Sequence, residues 1–201
     1  MEERILSKAK ELFFLYGIRS VTMEDIAKQM GVSKKTIYQF FRDKNEIVTK
    51  AITGLIYQHS DKIINSAAAA ENAVHEVVLQ TEALYDIFNA ITPGIFYDVQ
   101  KYFPEIWQLI NGHKHDCILT GIFRNLDRGI TEGLYRRDLN IKITAQMRLV
   151  QLSSAFNQQD FPAPEFEYRT VTAQLTELYL HAITSPKGQQ LISNYLNTNY
   201  K

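Results

Sequence analysis

The chain has 201 residues, 45% apolar and 22% charged, and its 22 Lys+Arg balance 22 Asp+Glu. That length suits one large domain or two small ones, and 23 aromatics (11 Phe, 11 Tyr, 1 Trp) give enough apolar bulk to exclude wholesale disorder. The lone cysteine, Cys117, excludes an intramolecular disulfide framework and fits a reducing compartment.

The opening Met1-Glu2-Glu3-Arg4 does not lead a basic stretch into an apolar one, so no export signal is expected. Apolar runs such as Val77-Val78-Leu79 fall far short of the ~20 residues of a spanning helix. A soluble, cytoplasmic protein with no membrane partner is the expectation. Charge is unevenly spread, however. Residues 1–50 carry ten Lys/Arg against seven acids, a balance of +3, which leaves −3 for the remainder. A basic head on an acidic body suits a head that faces a polyanion.

Helical periodicity dominates from the start. Ile5, Leu6, Ala9, Leu12, Phe13 and Tyr16 recur at the spacing of one helix face, and Gly17 supplies a stop. Thr22 opens a second helix, with Asp25 three residues on as a variant capping box; Ile26, Ala27 and Met30 are its buried side and Gly31 ends it. After Val32, Ser33 caps a third helix that buries Ile37 and Phe41. Asp43 caps a fourth, with Glu46 at the capping-box position and Ile47, Val48, Ala51, Ile52, Leu55 and Ile56 along its apolar face, running on toward Ile63-Ile64.

Helical patterns continue beyond residue 65. Ala67 to Ala70 reads as helix rather than linker. Thr92-Pro93-Gly94 is a break, Phe103-Pro104 a boundary, and Gly133 a turn within Gly129 to Asn140. Gln158 to Pro164 is a loop, and Thr184-Ser185-Pro186 separates a long amphipathic helix from a short terminal one at Gln189 to Leu196. No strand alternation with hairpin turns is visible, so the fold class is all-α.

The informative segment is Thr22 to Lys44, in which two helices joined by a short turn with Gly31 at its hinge form a helix-turn-helix signature. Ala27 is small where the helices touch, and Ile37 closes the little core. Lys34, Lys35, Tyr38 and Gln39 fall on the side of the third helix opposite Ile37 and Phe41. Lys34 and Lys35 occupy a first turn, and Lys44 starts the next helix, where the macrodipole disfavours cations by about 0.3–1 kcal/mol each. With Tyr38 and the hydroxyls of Thr22, Ser33 and Thr36 they make a set of donors suited to phosphodiester oxygens.

Residues 5–50 resemble the N-terminal domain of the TetR (tetracycline-repressor) family of bacterial transcriptional regulators. The resemblance is carried by Leu12-Phe13, Gly17, Thr22, Ile26-Ala27, Gly31-Val32-Ser33, Thr36-Ile37-Tyr38, Phe41, Lys44 and Glu46-Ile47. It implies a three-helix DNA-binding domain at residues 1–46 and a helical bundle at 47–201 for dimerisation and effector binding. It further implies that Tyr38 and Lys44 contact backbone phosphate, that Thr22 is a cap that also touches phosphate, and that Ser33, Lys34, Lys35 and Gln39 enter the major groove. Lys35 stands where Gly is frequent and Phe40 where His is frequent, which leaves the base preference open. The implied partners are a double-stranded DNA operator, a second copy of the chain and a small-molecule effector. Ile143–Phe156 and Tyr168–Ile183 would form the dimer interface through Met147, Val150, Val171, Leu175, Leu178, Tyr179 and Ala182, although these positions equally suit an ordinary core.

Thirteen aromatics run from Tyr85 through Tyr168, both included. From them Phe88, Phe96, Tyr97, Phe103, Trp107, Phe123 and Phe156 are taken as lining a pocket for a hydrophobic or aromatic effector. His113 and His115 form an H-x-H whose rings point apart on a helix, and Cys117, beside Ile118 and Leu119, reads as a small buried hydrophobe; neither a metal nor a cofactor is expected. A Gly-rich phosphate loop, an HExxH and a nucleophile elbow are all missing, so the chain is not expected to be an enzyme. The expectation is a ligand-responsive repressor. The alternatives are a helix-turn-helix protein without sensing, architectural or recombinase-type, and an all-helical enzyme or ligand carrier whose head merely looks alike.

Overall fold

The computed structural model describes residues 1–89, 94–155, 157 and 159–199, with the side chains of 86–89, 94 and 197–199 outside that description. Among the described residues the chain is all-α, as the periodicity predicts: α1 (Glu2–Tyr16), α2 (Met23–Met30), α3 (Lys34–Tyr38), α4 (Lys44–Ala69), α5 (Ala73–Asn89), α6 (Gly94–Tyr102), α7 (Pro104–His113), α8 (Thr120–Thr131), α9 (Ile141–Ser154), α10 (Tyr168–Ile183) and α11 (Pro186–Asn199). A π-helical segment, Lys114–Leu119, fills the gap between α7 and α8, and the sequence gives no hint of it. The break expected at Thr92-Pro93 lies outside the described residues. The terminal helix begins at Pro186 rather than Gln189, because proline lacks only an N–H that the first helical turn would leave unpaired.

By packing, the chain forms two units. The N-terminal unit comprises 1–58 and 87–112, the C-terminal unit 59–86 and 113–201. The N-terminal unit is built on one apolar cluster in which Ile5, Phe13, Ile26, Ile37, Phe41 and Ile47 meet Ile95 and Val99 of α6 and Ile106 and Ile110 of α7. The three helices of the head therefore do not close their core by themselves. α6 and α7, remote in sequence, complete it.

In the C-terminal unit polar staples replace part of that apolar contact. Glu76, 1% exposed, accepts from Arg128 Nη1 at 3.0 Å and faces Arg124 Nη2 at 3.6 Å. Arg128 also donates to the α4 carbonyl of Ala67 (3.3 Å) and to that of Ala70 (3.0 Å), while Glu132 Oε2 accepts from the N–H of Ala73 at 2.8 Å. Arg128 of α8 and Glu132, the residue that caps its end, thus satisfy the end of α4 and the start of α5 together. The turn expected around Gly133 is present, with Gly133 in the left-handed region at φ 70°. It returns the chain so that Tyr135 lies against Gly129, where a Cβ would collide with the tyrosine ring, and forms an isolated antiparallel bridge with Thr184.

Candidate nucleic-acid interface

The local chemistry of the head follows its caps. Thr22 Oγ1 accepts from Asp25 N–H (3.1 Å), and the Asp25 carboxylate accepts from the Thr22 N–H (2.8 Å) and hydroxyl (2.7 Å), closing the capping box of α2. These bonds hold the Asp25 carboxyl below the usual carboxylate range. Gly31 ends α2 at φ 65°, a conformation that favours glycine. Ser33 Oγ then accepts from Thr36 N–H at 3.1 Å to start α3. Asp43 Oδ1 accepts from Glu46 N–H (2.9 Å), while Glu46 reaches back to the N–H of Arg42 (2.8 Å), one residue earlier than the capping box expected from the sequence.

Ile37 and Phe41 are buried, and Lys34, Lys35, Tyr38 and Gln39 are exposed, Tyr38 at 48%. The structure thus leaves open four of the sequence-expected DNA residues, three on a five-residue helix and Gln39 as its C-cap. Ser33 and Thr36 share one hydrogen bond at 2.9 Å, in which either hydroxyl can donate; two hydroxyls sharing one bond retain one proton for an outside acceptor. Thr22 differs, because both its N–H and its hydroxyl proton are directed to Asp25.

Lys44 is half-buried, and its ammonium donates to the carbonyl of Arg19 at 3.3 Å. Burial lowers its pKa, while the charges of Asp98 and Asp25 oppose that shift. Sequence reasoning counted Arg19 only as one of ten cations. Its position two residues after the Gly17 stop, in the turn leading to Thr22, was the signal that it sits beside the caps.

The seven aromatics expected to line one pocket are divided. Phe103 and Trp107 pack against the apolar cluster of the N-terminal unit, and Tyr97, on α6 of the same unit, is 59% exposed with its hydroxyl bonded to Lys101. Phe96 is half-buried on α6, whereas Phe123 is half-buried on α8 of the C-terminal unit. Phe156 and the side chain of Phe88 lie outside the described residues. Within the C-terminal unit a cavity of about 30 Å³ is lined by other residues, among them Ile63, Val77, Thr81, Ile122, Arg148 and Tyr179.

The H-x-H spans the end of α7 (His113) and the π-helical segment (His115) and does not act as a pair. His113 Nε2 instead meets His59 Nδ1 of α4 at 2.9 Å, and His59 Nε2 is buried with no hydrogen-bond partner among the described residues. Burial, then the proximity of His113 and Lys62, pushes the His59 pKa down to about 4. Cys117 is half-buried. Among the described residues no three His, Cys, Asp or Glu side chains converge as a metal would require, and no helix is long and apolar enough to cross a membrane.

Residues 5–51 match the sequence profile of the bacterial regulatory proteins, tetR family. Over 181 residues the chain is 26% identical to the HTH-type transcriptional regulator YhgD of Bacillus subtilis, covering 88% of this chain and 92% of YhgD. A Saccharomonospora viridis protein solved in complex with choline shares the fold at a TM-score of 0.73 and 20% identity, over 92% of this chain and 97% of that one. SmeT, the repressor of the Stenotrophomonas maltophilia multidrug efflux pump SmeDEF, does so at a TM-score of 0.69 and 16% identity, over 92% and 91%.

Proposed function

We propose, from the chain's membership of the TetR family of bacterial transcriptional regulators, that it is a cytoplasmic repressor that holds a near-palindromic operator as a homodimer and releases it when a small molecule binds. The observation that carries this reading is the open side of α3, where Lys34, Lys35, Tyr38 and Gln39 face away from a core sealed by Ile37 and Phe41. Residues 1–46 read DNA and 47–201 dimerise and sense. Tyr38 and Lys44 take backbone phosphate, and Ser33, Lys34, Lys35, Thr36 and Gln39 meet base edges and neighbouring phosphates. Thr22 contributes by fixing the start of α2, its donors being engaged by Asp25.

The dimer seam is supported by apolar side chains left in the open. Ile143, Met147 and Val150 project from α9 at 54–60% exposure, and Leu178 projects from α10 at 62%. Of the other seam candidates, Ala182 is exposed and Leu175 half-buried, but Val171 and Tyr179 are buried in their own unit. Two copies joined through that seam place two α3 helices in successive major grooves about 34–36 Å apart.

The apolar cavity between Ile63, Val77, Ile122 and Tyr179 holds only a water or two, against roughly 300–1,000 Å³ for a ligand pocket, whereas a more open cleft of about 300 Å³ between Lys114, His115, Gln146 and Asn157 is wide enough as it stands. A hydrophobic effector with one polar group enters the apolar cavity by parting its walls, and so binds a widened state that the DNA-bound protein lacks. Only such differential affinity shifts the equilibrium.

Binding-site selection with purified protein tests the reading. An inverted repeat is expected, and Lys35→Gly should change the preferred bases of each half while Tyr38→Phe weakens all sequences alike. A single asymmetric site, or no enrichment at all, refutes the dimeric reading.

A further inference from the structure

Contacts from outside the helix-turn-helix converge on Arg19, in the turn between α1 and α2. Its N–H donates to Asp98 Oδ2 at 3.3 Å. Its guanidinium donates to the Tyr102 hydroxyl at 3.1 Å and lies over that ring, 5.2 Å from the centroid. Its carbonyl accepts the ammonium of Lys44 at 3.3 Å. Asp98 and Tyr102 are four residues apart on α6, so one face of that helix grips both the backbone and the side chain of Arg19. Gly17, at φ 83°, brings the turn so close that a Cβ there would lie 3.5 Å from the Asp98 carboxylate.

We propose that Asp98 and Tyr102 of α6 are positioning residues for DNA binding, holding the Arg19 turn so that its carbonyl fixes the Lys44 ammonium toward a backbone phosphate. The inference rests on the assignment of Lys44 as a phosphate contact made above. An ammonium has three donors, so the bond to Arg19 leaves two for phosphate oxygens. A lysine already held in one conformation loses less freedom on binding than a mobile one. The arrangement also gives α6 its own route to the DNA surface, through the α1–α2 turn rather than along α4.

The sign of the effect makes the proposal testable. Removing a carboxylate near DNA should, by charge alone, tighten binding. If Asp98 positions Lys44, Asp98→Ala loosens binding to a mixed-sequence duplex by about three- to tenfold, the freedom of one side chain. Asp98→Asn, which keeps an acceptor oxygen and sheds the charge, binds at least as tightly as the parent. Tyr102→Phe, a milder change that leaves the ring in place, shifts affinity in the same direction as Asp98→Ala, and neither loss persists in a Lys44→Ala background. Asp98→Ala and Asp98→Asn tightening alike, or losses that persist undiminished without Lys44, overturn the positioning role. The parent reading is judged separately: Lys44→Ala should flatten the log–log salt dependence by about 0.9. An unchanged slope removes Lys44 from the phosphate contacts and the α6 proposal with it. A flattened slope with Asp98 variants that obey charge alone removes only the α6 proposal.

Discussion

The two units solve the problem of a stable interior differently. In the N-terminal unit every buried side chain among the described residues is apolar. The C-terminal unit buries His59, Ser66, Glu76, Thr81, Asn125, Arg148, Thr172, Thr176 and Thr184. An apolar core is indifferent to protons and tolerates any polar surface laid over it, so the first unit can devote its exterior to a polyanion. A polar core demands that each group find its partner, which fixes geometry and makes the second unit sensitive to charge and pH.

Glu76→Ala should sharpen that contrast most. It removes a buried carboxylate from Arg128, which keeps Glu132 and the carbonyls of Ala67 and Ala70, and loss of such a charge-assisted hydrogen bond costs about 1.5–3 kcal/mol. Urea denaturation should show a lower midpoint with the slope kept; a loss below about 1 kcal/mol would mean that the polar staple is decoration.

Acid should separate the units next. His59 is neutral when folded down to a pKa of about 4, against 6.5 in the unfolded chain, so between these values the unfolded state binds more protons. The stabilisation is complete above pH 6.5 and disappears as pH falls toward 4, up to about 3 kcal/mol. Burial lowers His113 as well and adds loss of the same sign, opposed by Asp116. Amide exchange should therefore accelerate in α8 to α10 before α1 to α3, and His59→Gln should flatten the dependence. Equal acceleration in both units contradicts the comparison.

The smallest effect belongs to the head. Thr22→Ala removes the cap of α2 and should cost about 1 kcal/mol, seen as faster exchange of the α2 amides with the C-terminal unit unchanged. No local change in α2 would show that the capping box is redundant there.

What the sequence revealed tracks the range of the interactions involved. The caps at Thr22, Ser33 and Asp43, the stops at Gly17 and Gly31, and the buried Ile37 and Phe41 depend on neighbours within a few residues, and all are where the spacing puts them. Contributions from distant segments were not legible. Nothing in residues 1–46 announces that Ile95 and Val99 complete their core, nor does any motif link His59 to His113 or Arg19 to Asp98. Aromatic content was the weakest guide. Phe103 and Trp107 have the composition of a pocket and the position of packing, because apolar side chains serve both purposes.

The brevity of α3 has a consequence for gene choice. Five residues advance about 7.5 Å, the length of roughly two steps of the duplex, so under the proposed function one molecule reads a very short word. Words that short recur by chance throughout any genome. On the dimeric reading proposed above, discrimination resides in the gap between two readings, and inserting a few base pairs at the centre of a target should silence it more thoroughly than altering a letter at either end.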